Sequence, residues 1–407
     1  MPDTPSPIVF SSAEFIEKDA KYQLPEIQNA VDALTRRGGG RDWVADFEAA
    51  FRTFTGASHA VAFNSGTSAL HAALVAVGVG PGDEVILPAL GVVMQAYCVE
   101  LVGGTPVFAD VARDTHLVEL SELKKLVTEK TKAIITCAWD GVCCDFDEII
   151  PFAHSKGIWV IEDSARALGC VYKGRSVACV ADVTMFSFES RKHMTTGGEG
   201  GMLTCNNPDI ASNARKFGGI GYKHLSADSG ETYLNKSLVQ DPSYHRFDAI
   251  GVNYRMTDIS AAIGIAQLDR APLILGRRKE VGKIFLEAVG ECKWLVPQRT
   301  PDYCQHTYYS FVVEYIPTIN TQLSWKDFYD EFCSRGGDGF YSTVMVPYLE
   351  LYYRGKSTHL QDYREGLCPT AENLQKNSMC FKTNYRDMET AKRQASILSG
   401  LIQDIDG

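Results

Sequence analysis

Between about residues 60 and 205, short apolar runs alternate with stretches of helical period. This alternation restricts the fold more than any other feature of the chain. The runs AVAF (60–63), EVILP (84–88), AIITCA (133–138), IWVIED (158–163) and VTMFSF (183–188) are mostly β-prone and read as strands. SALHAALVAV (68–77) and FDEIIPFAHSKG (146–157) fill intervals between them as helices. Strands and helices in this rhythm form an α/β fold, a largely parallel sheet covered by helices on both faces. Such a sheet carries its ligand-binding loops at the carboxyl ends of its strands. The residues singled out below fall largely at those ends.

Further along, a polar stretch at about 222–247 has no clear period and reads as a loop or partly ordered insertion. TDISAAIGIAQLDR (257–270) is a helix that Thr257 or Asp258 can cap. A helix-rich segment with Arg277, Arg278, Lys279 and Glu280 follows, then YYSFVVEY (308–315) as a strand. The remainder changes to strands followed by helices. The boundary is placed near 271–275. It separates a large domain over 1–272, with an N-terminal arm of about 25 residues, from a smaller C-terminal α+β domain over 273–407.

Composition excludes several classes of function. Forty basic against fifty acidic side chains give a net charge of −10, which argues against a broad nucleic-acid surface yet leaves room for a local cationic pocket. Apolar stretches such as AALVAVGVG (72–80) are too short to cross a bilayer. The opening MPDTPSPIVFSS lacks the basic start and apolar block of a signal peptide. A cytoplasmic protein, bound neither to membrane nor to nucleic acid, is expected. The twelve cysteines are scattered with no CxxC, and HExxH is absent, so reduced, mostly buried thiols and no metal site are expected.

Three groups of residues stand out. Asn64-Ser65-Gly66-Thr67-Ser68 follows a strand and opens a helix. Small residues with hydroxyls and helix-start N–H groups can hold phosphate, although alone they suit a helix cap with a tight turn better. Asp163, with Glu162, ends a very apolar strand, where a carboxylate needs a partner. It either caps the next helix or faces a protonated ring nitrogen. Lys192 follows Ser187-Phe188-Glu189-Ser190-Arg191 and precedes the glycine-rich run 197–201. It is either a solvated loop lysine or an amine placed to form an imine with a cofactor aldehyde.

Taken together these blocks resemble the DegT/StrS family of pyridoxal-phosphate-dependent sugar aminotransferases, of the aspartate-aminotransferase type I fold. The likeness runs from about residue 22 to the C-terminus. It is carried by SGTSAL (65–70), GPGDEVILPAL (80–90), Glu162-Asp163, ALGCVYKGR (167–175), FSFESRKHMTTGGEGGM (186–202), GVNYRMTDISAAIGIAQLD (251–269) and CPTAENLQKNSMCFKTNY (368–385). The resemblance implies pyridoxal 5'-phosphate as cofactor, Lys192 as the Schiff-base lysine and Asp163 as the acid at the pyridine nitrogen. Ser65, Gly66, Thr67 and Ser187 match phosphate-binding positions. Asn253 matches an asparagine that reaches the phosphate from a neighbouring subunit, which implies a homodimer with shared active sites. The expected reaction moves an amino group from glutamate or glutamine to a keto-sugar, with a nucleotide-linked 4-keto-6-deoxy sugar foremost. A keto-cyclitol or other specialised-metabolite ketone is the alternative acceptor, and a cofactor-binding homologue that no longer transaminates is the alternative class.

Several positions depart from the family pattern. Arg166 stands where Gln or His is usual, and it either turns inward to the cofactor's phenolic oxygen or pairs with a surface acid. Val92 replaces a stacking aromatic ring, for which Trp139 could compensate. Ala138 replaces a histidine, and Gly198 is an extra residue after the lysine. Glu189, Tyr222, His224, Arg255 and His306 are the candidate substrate contacts.

Overall fold

The apolar runs of the N-terminal half lie side by side. The computed structural model describes residues 21–35, 41–231, 235–317, 323–342 and 345–406; most of the expected N-terminal arm lies outside these. A seven-stranded sheet has the order His59–Phe63, Gly201–Cys205, Val183–Ser187, Trp159–Asp163, Thr131–Cys137, Glu84–Pro88, Thr105–Ala109. The five strands from Val183–Ser187 to Thr105–Ala109 pair in parallel, whereas Gly201–Cys205 runs against both of its neighbours. Every position of Glu84–Pro88 is buried, as the core of a sheet covered on both faces requires.

Two strands escape the reading from hydrophobic runs, each for a local reason. Thr105–Ala109 carries Pro106, which cannot donate to a ladder, and accordingly lies at an edge. Gly201–Cys205 begins in the glycine-rich turn after Lys192, which reverses the chain so that Gly201 pairs with both Ser187 and Phe63.

Helix Asp258–Val289 is much longer than its sequence pattern suggests. Thr257 caps it by accepting the Ser260 N–H, and it continues through Pro272. The boundary expected near 271–275 therefore falls inside one helix whose two parts serve different cores. Ala261, Ala262, Leu268, Ala271 and Leu275 pack with the large sheet, and Val281, Phe285 and Val289 pack with a second cluster. By length and composition this helix contains a stretch apolar enough to cross a membrane; here it packs against helices Leu24–Thr35 and Trp43–Thr55. The second cluster lies on a three-stranded sheet with Ser310–Tyr315 between Leu295–Pro297 and Ser378–Lys382, and includes residues of helices Trp325–Ser334 and Met388–Asp406. The intervening chain returns to the large sheet, where Tyr348, Tyr353, Tyr363 and Leu374 join the first core. There Gln361 bonds both backbone groups of Phe108, at 2.8 and 2.7 Å, and the Tyr363 hydroxyl donates to the Pro106 carbonyl at 2.6 Å.

Candidate active site

The site is assembled at the carboxyl ends of three strands. After His59–Phe63, Ser65 caps helix Gly66–Ala76 by accepting the Ser68 N–H. The first intrahelical bond runs from the Ala69 N–H to the Ser65 carbonyl, so the N–H groups of Gly66 and Thr67 precede the ladder, at the positive end of the helix. Gly66 lies directly against the end of Val183–Ser187: a side chain there would come within 2.7 Å of Ser187 Cβ. Gly201 presses on the same turn from behind, where an added Cβ would sit 2.2 Å from the Ser65 carbonyl oxygen and 2.7 Å from Gly66 N. Turn, hydroxyl and helix start thus form one cradle. Gly201→Ala should push the Ser65–Thr67 turn outward, lowering stability by about 1–3 kcal/mol and weakening cofactor binding. A thermal melt and a cofactor titration both matching the parent would contradict this arrangement.

Asp163 and Glu162 end the strand Trp159–Asp163 and, by the strand's period of two, point to opposite faces. Glu162 is fully buried, and burial pushes its carboxyl up to about 8, so it is protonated near neutrality beside the hydroxyls of Thr136 and Ser164. Asp163 is buried as well. Its Oδ2 accepts from Gln95 Nε2 at 2.7 Å and its Oδ1 from the Ala165 N–H at 3.0 Å.

Lys192 is half-buried, with Nζ 5.4 Å from the centre of the Tyr309 ring. Burial, and next the Arg166 charge, hold its amine below the usual lysine range against the pull of Asp163, Glu189 and Asp140. The Arg166 side chain is 12% exposed and lies 3.3 Å from each oxygen of Asp140. Its guanidinium sits 4.2 Å from the Trp139 ring centre and 5.2 Å from that of Tyr309. Arg166 therefore turns inward, and its partner acid is fully buried rather than on the surface. The Trp139 ring that could have replaced a stacking aromatic has Arg166 over its face, while Val92 is half-buried at the start of helix Val93–Leu101.

The pH behaviour of Lys192 tests this charge arrangement. Arg166→Gln removes a cation that lowers the lysine and leaves Asp140, which raises it. The neutral amine then forms only at higher pH. The rate at which the cofactor-free chain captures cofactor should accordingly rise with pH about a shifted, more alkaline midpoint; an unmoved midpoint would show that Arg166 does not act on Lys192.

The remaining candidates are dispersed. Glu189 is held within its own turn by the Ser190 hydroxyl at 2.5 Å and the Arg191 N–H at 2.9 Å. His306 is buried, with one ring nitrogen 3.1 Å from the Asp140 carbonyl and the other 3.1 Å from Thr300 Oγ1. It supports the wall that carries Asp140 and is not open to a ligand. Tyr222 stacks on Phe247 at 4.8 Å, and a ring nitrogen of His224 lies 2.9 Å from the Glu231 carbonyl. Asn253 and Arg255 are exposed, on a segment whose backbone bridges to Gly219 and Phe63. Gln95, Asp140 and Tyr309 are absent from the sequence-based set. Gln95 is a polar residue in an otherwise apolar helix start, which is a signal of a kind; Asp140 and Tyr309 had none.

A cavity of about 170 Å³ opens beside Lys192, walled by Lys21, Arg191, His193, Arg270, Arg278 and Tyr385 among others. Arg270 pairs with Glu26 at 2.5 Å. Arg278 is buried, with Nη1 donating to the Tyr309 carbonyl and Thr383 Oγ1, while its Nε has no hydrogen-bond partner among the described residues. In a chain of net charge −10 this is a local concentration of cations.

Residues 21–394 match the DegT/DnrJ/EryC1/StrS aminotransferase family. The chain belongs to that family. Among its relatives, GDP-perosamine synthase of Caulobacter vibrioides is 41% identical over 239 residues, 59% of this chain and 60% of the relative. The match thus spans less than two thirds of that protein's length. The spore coat polysaccharide biosynthesis protein SpsC of Bacillus subtilis is 35% identical over 294 residues, 72% of this chain and 73% of the relative. An aminotransferase from Psychrobacter cryohalolentis superposes with a TM-score of 0.85 at 27% identity, covering 95% of this chain and 98% of that one.

Proposed function

We propose that the chain is a pyridoxal-phosphate-dependent aminotransferase that moves an amino group from glutamate or glutamine to a keto-sugar, foremost a nucleotide-linked 4-keto-6-deoxy sugar, in the making of an amino sugar. The observation that carries this reading is the convergence of three unlike groups on the strand ends: an anion cradle, a buried carboxylate and a half-buried amine of lowered basicity. This donor set fits pyridoxal 5'-phosphate. Ser65, Gly66, Thr67 and Ser187 would hold its phosphate, Asp163 its ring nitrogen and Lys192 its aldehyde carbon. When bound, it supplies an electron sink for negative charge developing on a substrate carbon.

The chain's own groups do the rest. Asp163, held by Gln95 and the Ala165 N–H, would keep a proton on a ring nitrogen placed against it. Lys192, with its amine held towards the neutral form, takes and returns a proton at Nζ. Trp139, Arg166 and Tyr309 wall the site.

The cationic cavity beside Lys192 supports an acceptor that carries negative charge, as a nucleotide-linked sugar does, and the relative's name, GDP-perosamine synthase, points the same way. Two chains would complete each site. Support comes from the exposed Asn253, near which Phe247, Ile259 and the 92% exposed Ile250 leave an apolar surface for a partner copy. A cytoplasmic location accompanies this reading. The test is a panel of nucleotide-linked keto-sugars and keto-cyclitols, offered with glutamate or glutamine and assayed for amine product. Amination confined to the cyclitols would redirect the acceptor assignment, and no conversion of bound cofactor to its amine form by any donor would reject transamination.

A further inference from the structure

Three cysteines far apart in sequence meet behind the Arg166 wall. Cys143 follows the 139–141 turn that carries Asp140, and Cys170 closes the loop that begins at Arg166. Cys304 lies on the strand Cys304–Gln305, which pairs with Val171–Tyr172 and leads into His306 and Tyr309. The Cys304 sulfur is 3.6 Å from that of Cys143 and 3.6 Å from that of Cys170, and all three sulfurs lie within 4.8 Å of one another. Each residue is buried and none is in a disulfide. The Cys143 N–H also donates to Cys304 Sγ at 3.5 Å. Among the described residues, no other three His, Cys, Asp or Glu side chains are gathered in this way.

The spacing selects between the chemistries open to such a group. A disulfide needs sulfurs about 2.05 Å apart, so either pair would have to close by well over an ångström inside a packed core. Metal–thiolate bonds of about 2.3 Å hold neighbouring sulfurs about 3.8–4.0 Å apart in a tetrahedral or trigonal shell, within a few tenths of the two short edges seen here. All the donors are sulfur, which suits soft cations and not magnesium or calcium. Charge also matters at a buried site. A dication that enters as three thiol protons leave offsets two of the three thiolate charges, and the Cys143 N–H, which donates to Cys304 Sγ, is placed to stabilise the third.

We propose that Cys143, Cys170 and Cys304 form a binding site for a thiophilic divalent d10 cation of the zinc and cadmium class. Each ligand belongs to a segment that also carries one member of the Asp140–Arg166–Tyr309 wall, so a bound ion ties the wall together from behind.

The test uses the reduced, cofactor-loaded chain, stripped with a chelator and titrated anaerobically with Cd²⁺. The expected result is one equivalent bound, with an ultraviolet thiolate-to-cadmium band, release of about three protons per ion, and loss of the band on competition with Zn²⁺. Cys304→Ser should abolish band and proton release. Should that variant fail to fold, Cys143→Ala and Cys170→Ala, each checked by a thermal melt, decide the matter in its place. Cys333→Ser, on helix Trp325–Ser334 outside the cluster, should bind as the parent does. No band with excess Cd²⁺, a band that survives in the folded cluster variants, or equal loss in Cys333→Ser would each overturn the proposal.

Discussion

Replacing Lys192 with alanine should lower transamination by at least about 10³-fold, because it removes both the covalent anchor and the proton carrier from one position. The fold should survive. The side chain is only half-buried and its nearest described ring, Tyr309, keeps the neighbouring Arg166 and Arg278 cations about 5.2 and 5.6 Å from its centre. Borohydride reduction of the cofactor-loaded parent, followed by peptide mapping, should place the label on Lys192, and the variant should carry none. A label on another lysine, or turnover within tenfold of the parent, would remove the basis of the proposed reaction.

Asp163→Asn is expected to be the next most damaging change. Asparagine keeps the shape and can still accept from Gln95 or the Ala165 N–H, so structure and cofactor content should change little. What would be lost, on the proposed function, is a buried negative charge paired with a cationic ring nitrogen. Removing one member of such a pair costs about 3–5 kcal/mol, and to the extent that the loss falls in the transition state the rate drops by about 10²–10³-fold. Single-turnover measurement of cofactor amination by the donor checks this directly. Near-normal rates with full cofactor occupancy would show that Asp163 only buttresses the strand end.

Much of this was legible in the sequence because the relevant signals are local. The apolar runs ending at Phe63, Asp163 and Ser187 announced strands whose ends meet, and the small residues 65–67 and the glycines after Lys192 marked the turns between them. Pairings that depend on distant segments were not legible. Nothing near Arg166 indicates that its partner would be Asp140, a residue in the left-handed region at φ 49°, fully buried on another loop. His306 is a candidate substrate contact in the sequence, but its two partners, Thr300 and the Asp140 carbonyl, are set by packing that no local pattern shows. The helical pattern at 257–270 and the boundary near 271–275 stop short of a helix that runs on through Pro272, since its two parts are held by separate cores. The three sulfurs of Cys143, Cys170 and Cys304 have no spacing motif, only a shared destination.

The clasp on the outermost strand of the large sheet has a bearing on how copies of this protein meet. A bare strand edge invites any other extended chain to add to it, in ordered or disordered fashion. The carboxamide of Gln361 stands in for a neighbouring peptide unit at Phe108, and the Tyr363 phenol occupies the Pro106 carbonyl. Proline itself offers no donor there. That border is thereby closed to the addition of a strand from another copy.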